Sequence, residues 1–206
     1  MSHHLDLSSG AAGRVTLRNP RVEPLPIEVR AVRRSISEDG TSSFTPADAD
    51  FLIFPPQALV PAGGAQAFQF QYVGPTALDR TAAYVLYLSE VPVSQAGGIT
   101  VQIIFELGVA VYLHPQGARA DLRLEGVRPL ADGSAEVMVR NHGGRLVVLG
   151  PQGLNEVAGA AGGLSAYGAA ATRNFGSPII PAYSLRRFLI NRPVQPGESA
   201  PLEEGL

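Results

Sequence analysis

The residues best suited to acid–base or metal chemistry are four histidines, His3, His4, His114 and His142. His3 and His4 are adjacent, and neighbours on a strand face opposite sides. No carboxylate cluster accompanies them, so they are expected to be frayed terminal residues rather than metal ligands. His114 and His142 are lone histidines, the first expected at a domain junction and the second in a turn. Cysteine is absent, which excludes a disulfide framework and any thiolate metal site. The spacings that support catalysis (Gly-x-Ser-x-Gly, a phosphate loop, His-Glu-x-x-His, paired carboxylates at a strand end) do not occur. GGLSAYG, residues 162–168, has the wrong spacing for a nucleophile elbow. Arg30, Arg33 and Arg34 make a basic run, but Glu28, Glu38 and Asp39 lie beside it, which reads as solvated surface. Aromatics are scarce and not interleaved with basic residues, so no nucleic-acid stacking platform is expected. The chain is expected to be no enzyme, with no cofactor and no metal.

The element around which the rest is organised is the stretch Ile99 to Pro115. Every odd position from Ile99 to Leu113 is apolar, and the even positions carry Thr100, Gln102, Glu106, Gly108, Ala110, Tyr112 and His114 among others. Strict alternation is a strand signature. A strand typically has about 5–6 residues, whereas this one would run roughly 50 Å at about 3.3 Å per residue. One sandwich does not cover so long an apolar row with its own second sheet, so part of it is expected to serve a partner. The competing reading is an ordinary core strand. Val109–Leu113 are core in either case.

The rest of the chain fits that element. At 206 residues with 45% hydrophobic and 17% charged composition it is long enough for one large or two smaller domains. A formal charge of −2 offers no bulk attraction to nucleic acid or to an anionic membrane. No stretch approaches the roughly 20 apolar residues of a membrane helix. The N-terminus MSHHLDLSSG lacks the layout of a signal peptide, so an exported form is expected to have lost its leader. Twenty-three glycines and 17 prolines punctuate short alternating runs, an all-β pattern. Strands are expected around Leu5–Leu7, RVTLRNP, IEVRAVRRSI, FLIF, AFQFQYV and Thr81–Val91, then the long strand. About seven strands in the first 115 residues suit an immunoglobulin-like sandwich. Pro115-Gln116-Gly117 is the expected boundary, giving domains 1–115 and 116–206. The second has ADLRLEGV, EVMVRN, RLVVLG and SLRRFLI, few strands for a closed sandwich. An Ala/Gly-rich loop is expected at 157–171 and a flexible tail at 191–206.

The first half resembles the N-terminal domain of the periplasmic chaperones of the chaperone–usher pilus pathway. The matching residues are VTLRNP (15–20), Pro55-Pro56, Pro61-Ala62-Gly63 with Gln66, and Leu78-Asp79-Arg80 ahead of Tyr84-Val85-Leu86-Tyr87. The Val91-Pro92 stop and the long strand ending in Tyr112 and Pro115 complete the pattern. The second half resembles the family more weakly, through residues 137–150 and 179–190.

The resemblance implies two immunoglobulin-like domains holding a pilus or fimbrial subunit, with transfer to an outer-membrane usher in the periplasm. The chaperone would lend a strand to a subunit that lacks its last one, an instance of β-strand addition of which chaperone–pilin pairing is a standing example. The lent residues would be Ile99, Val101, Ile103, Phe105 and Leu107. Departures accompany the matches. The family's carboxylate-anchoring Arg and Lys fall at His4 and Ala110 here, and two positions of its domain-tying ion cluster hold Thr81 and His114. Loss of such ions as a set leaves no buried charge unpaired. Arg14, Arg18 and Arg119 are candidate substitute anchors. The alternative function is a structural or adhesive immunoglobulin-like module that forms a homodimer through its long edge strand.

Overall fold

A computed structural model describes residues 2–92, 104–131, 134–150, 153–154 and 177–190. The chain is all-β and divides into two compact immunoglobulin-like units. The first comprises Met1–Ser35 and Ser42–Ala118, the second Ile36–Thr41 and Arg119–Leu206.

The first unit is a sandwich. One sheet contains β1 (Ser2–Asp6), β9 (Glu106–His114), β8 (Ala82–Glu90), β3 (Leu25–Ile36) and β4 (Ser42–Pro46) in that order, with β6 (Gln57–Val60) also on β3. The other contains β2 (Ala12–Arg18), β7 (Ala65–Tyr72) and β5 (Phe51–Phe54). Alternation builds the core between them. Val15 and Leu17 of β2, Phe68 and Phe70 of β7, Ile27 and Val29 of β3, Tyr84, Leu86 and Leu88 of β8, and Val109, Val111 and Leu113 of β9 share one buried cluster. Their neighbours along each strand take the opposite face, which is exposed on most of β2 and β7 but buried at Ala83, Val85, Tyr112 and His114.

The Asn-Pro stop after β2 is a built corner. Asn19 is buried, and its Nδ2 donates to the carbonyls of Glu23, Val60 and Pro61 at 2.8, 3.2 and 3.2 Å. Its Oδ1 accepts from the Arg21 N–H at 3.0 Å.

The second unit pairs β10 (Leu122–Pro129), β11 (Ala135–Asn141) and β14 (Ser184–Ile190), with β12 (Val147–Val148) against β13 (Ile179–Ile180). Val137, Val139, Leu149, Leu154, Ile180, Phe188 and Ile190 form its core. Asn141 closes β11 as Asn19 closes β2. Its Nδ2 donates to Arg145 O and Pro181 O at 2.8 and 3.1 Å, and its Oδ1 accepts from Gly143 N at 3.0 Å. Arg186, 1% exposed, lies over the Phe188 ring and donates to the carbonyls of Ile179, Ser177 and Glu38. Burial pulls its guanidinium below the ordinary value, and the charge of Asp39 opposes that.

The Ala/Gly-rich stretch 157–171 and the tail 191–206 lie outside the described residues. Three strands were not anticipated from the sequence, β4, β6 and β13. The N-terminal segment departs from expectation in the other direction: His3 and His4 are not frayed ends but the middle of β1, paired parallel to β9.

Candidate partner-binding strand

The site is the edge of β9. On its inner side β9 pairs antiparallel with β8, from Ala82 opposite Leu113 to Ser89 opposite Glu106. On its outer side it pairs parallel with β1, but only from Ser2 opposite Ala110 to Asp6 opposite His114. Among the described residues no strand covers that outer edge from Glu106 to Val109.

The hydrogen-bond phase decides which groups that edge presents. Glu90 N donates to Phe105 O at 2.8 Å, so the 90/105 pair is a hydrogen-bonded one. Pairs alternate along an antiparallel ladder. Leu107 and Val109 therefore turn their backbone groups toward β8, and Glu106 and Gly108 turn theirs to the open edge. A row of donors and acceptors of this kind is a template for another strand.

Of the five residues expected to be lent, two are described. Phe105 and Leu107 are half-buried against the unit's own core, in line with the fully buried Val109, Val111 and Leu113. Ile99, Val101 and Ile103 lie outside the described residues. The row's other face carries Ile104, 54% exposed, then Glu106 and Gly108, both exposed.

Glu90 holds the start of this strand. Its Oε2 accepts from the Phe105 N–H at 3.0 Å, and its Oε1 pairs with Arg21 Nη1 at 2.8 Å. The bond from Arg21 holds the Glu90 carboxyl below the usual carboxylate range; the Phe105 N–H acts the same way and burial opposes both.

The diverged anchor positions sit at the other end of the strand. His4 lies opposite Tyr112 and Ala110 lies opposite Ser2, all on the sheet face away from the core. His4 is exposed, but it is engaged. Its Nδ1 is 3.1 Å from His114 Nε2, with the two rings stacked. His114 is fully buried, and its Nδ1 is 2.9 Å from Thr81 Oγ1. Thr81 and His114, two positions singled out in the sequence, are thus direct partners. His4 joins them through a parallel pairing that no local pattern announces. Arg14 and Arg18 are exposed on β2, in the opposite sheet, and Arg119 belongs to the second unit. In the basic run, Arg30 pairs with Glu28 at 3.1 Å and Arg33 is exposed, as a solvated surface should be. Arg34 is half-buried and donates to Ser42 Oγ at 2.8 Å.

Among the described residues no group of three or more His, Cys, Asp or Glu side chains is placed to hold a metal. A groove of about 360 Å³ is lined by Pro26, Ile27, Gln57, Ala58, Leu59 and Val91, without a titratable side chain. No described helix is long and apolar enough to cross a membrane.

The family model of the pili and flagellar-assembly chaperones, PapD N-terminal domain, matches residues 7–119, more than half of the chain. The chain belongs to that family. It is a family of non-catalytic chaperones. No curated protein matches this chaperone by sequence. Solved structures do match it by fold. It is similar to the Escherichia coli chaperone DraB, with a TM-score of 0.61 at 12% identity, over 94% of this chain and 82% of that one. A chain of the CsuC–CsuE chaperone–tip adhesion subunit pre-assembly complex of Acinetobacter baumannii gives 0.58 at 12% identity, over 91% and 86%. A chain of the chaperone–tip adhesin complex of CFA/I fimbriae gives 0.54 at 14% identity, over 71% of this chaperone and 66% of that chain. Identities this low carry the fold and no more.

Proposed function

We propose that this protein is a periplasmic chaperone that binds pilus or fimbrial subunits by lending them part of its long strand, then passes them to an outer-membrane usher. The observation that carries the reading is the open edge of β9 from Glu106 to Val109, backed by an apolar row on the core-facing side. Family membership and the chaperone–subunit complexes among the structural relatives support it. The lent side chains are Ile99, Val101, Ile103, Phe105 and Leu107. Each that becomes fully buried in the subunit contributes on the order of 1.5–3 kcal/mol. The subunit's carboxyl end is held by groups other than the usual pair, since those positions carry His4 and Ala110. The act needs neither cofactor nor nucleotide.

Phe105→Asp and Ile103→Asp test it. The full chain, tagged at its C-terminus and expressed in its host's periplasm, should co-purify with a β-rich subunit in near-equal amount. Either substitution should abolish that recovery while far-UV circular dichroism stays that of a folded β protein. Undiminished capture by both variants would rule out strand lending. Recovery of a stable homodimer alone would favour a self-associating module.

A further inference from the structure

Beyond the apolar row, the open edge carries a second pattern on its other face. Glu106 is exposed there, and its carboxylate accepts from Ser89 Oγ at 2.9 Å. No arginine, lysine or histidine of the described residues pairs with it; the nearest basic residue across the sheet, Arg30, is taken by Glu28. The row from Glu106 across β8 and β3 runs through Ser89 and Glu28, and since Arg30 balances Glu28, the Glu106 carboxylate is the charge of that row left without a basic partner among the described residues. Two residues further along β9 stands Gly108. A Cβ there would come within 3.3 Å of Tyr87 Cε1 and of Val85 Cγ1, so an edge of the Tyr87 ring lies beside the glycine. Tyr87 is half-buried and packs edge-on to Phe44, with ring centroids 6.3 Å apart. A side chain at position 108 would crowd that ring and stand between it and the edge.

We infer that the strand accepted at this edge carries a basic residue beside Glu106 and, two residues nearer its C-terminus, a large side chain that packs on Tyr87 across Gly108. This rests on the strand-lending reading and adds to it the chemistry of the guest strand. The edge backbone of Glu106 and Gly108 places a guest's side chains directly beside theirs, close enough for a cross-strand pair. Opposite charges in such a pair stabilise and like charges destabilise. The order of the two features follows from the sense of β1, which already runs parallel to β9 on this same edge. A guest in the same sense meets Glu106 first and Gly108 second. Apolar side chains on the guest's inner face fix affinity, whereas this outer pair fixes which strands are accepted.

A phage-displayed strand library tests the inference against the full-length chain. Its eleven-residue inserts keep alternate apolar positions fixed and randomise the outward-facing ones. Selection on the wild-type chain should enrich Lys or Arg at one outward position and Phe, Tyr, Leu or Met at the next outward position toward the C-terminus. Selection on Glu106→Lys should enrich Asp or Glu at the first position, and Tyr87→Ala should lose the preference at the second. Synthetic peptides from the wild-type pool should bind about two- to fivefold more weakly when the basic residue becomes Gln, the range for one exposed cross-strand pair. Identical pools from wild type and Glu106→Lys, or the two preferences in the opposite order, would overturn the inference. If pools bind Phe105→Asp as well as wild type, or if no insert is selected at all, the strand-lending reading itself falls, and the inference with it.

Discussion

Exchanging Asn19 for aspartate alters one atom of the side chain and should nevertheless be among the most damaging conservative changes in the first unit. Asn19 is 1% exposed. The exchange keeps the Oδ1 acceptor used by Arg21 N and removes both N–H donors, leaving three carbonyls facing an oxygen. The bond to Val60 O is buried, and those to Glu23 and Pro61 are partly so. A buried acceptor left unsatisfied costs about 1–3 kcal/mol. With one such group and two that water reaches in part, the total is about 2–4 kcal/mol. That is a large share of the roughly 5–15 kcal/mol that holds a domain together, and it corresponds to a fall in Tm of roughly 10–20 °C. Differential scanning calorimetry at pH 7.5 and 4.5 measures it. The introduced carboxyl, desolvated and facing carbonyls, has a folded pKa above its unfolded value, so the variant's stability is lost as pH rises. The deficit should shrink at the lower pH, where a protonated carboxyl regains one donor. A fall of less than 2 °C, or a deficit that grows on acidification, would refute the idea that Asn19 acts by bonding those carbonyls. Asn141→Asp repeats the test in the second unit and should behave alike.

Glu90→Gln should loosen the start of β9, and Phe105 amide exchange, read by mass spectrometry, should report it. Because the Glu90 carboxyl is held low in the folded chain, its stabilisation is full above the unfolded pKa and fades as pH falls through and below the ordinary carboxylate range. Protection of Phe105 should therefore decline on acidification in the wild type and stay flat in Glu90→Gln; equal slopes would exclude the clamp. Gly13→Val places a side chain into the Phe70 ring, where two sheets already pack, and should cost about 1–3 kcal/mol in urea unfolding. Combining it with Phe70→Leu should recover part of that cost, and strict additivity would show that the two do not meet.

The elements legible in the sequence are those whose two faces differ. β2 and β7 alternate because one side is core, and Asn19 and Asn141 sit where their strands stop. β4, SSFTP, has no buried residue, so no periodicity marks it. β6 follows Pro55-Pro56 directly and has four residues, too few for a pattern. The contact between His4 and His114 spans 110 residues and depends on a parallel pairing, which leaves no mark on either local sequence. Nothing in SLRRFLI marks Arg186 as buried; the carbonyls of Ile179, Ser177 and Glu38 accept its hydrogen bonds, and Glu38 lies 148 residues away. The same limit applies to the guest-facing side of β9. Its apolar row is plain in the residues, whereas the exposure of Glu106 beside an uncovered edge appears only once β1 is seen to pair with β9 from Ala110 onward.

β1 also fixes a length. It occupies the β9 edge from Ala110 onward and is secured by Leu5 against the core and by His4 on His114. Any strand entering alongside Glu106 and Gly108 cannot slide past Ala110 without stripping β1 from β9. A slip of one residue would turn every side chain to the wrong face, and a slip forward is blocked. The occupied stretch of β9 thus limits a guest's alignment from one side, alongside what its side chains prefer.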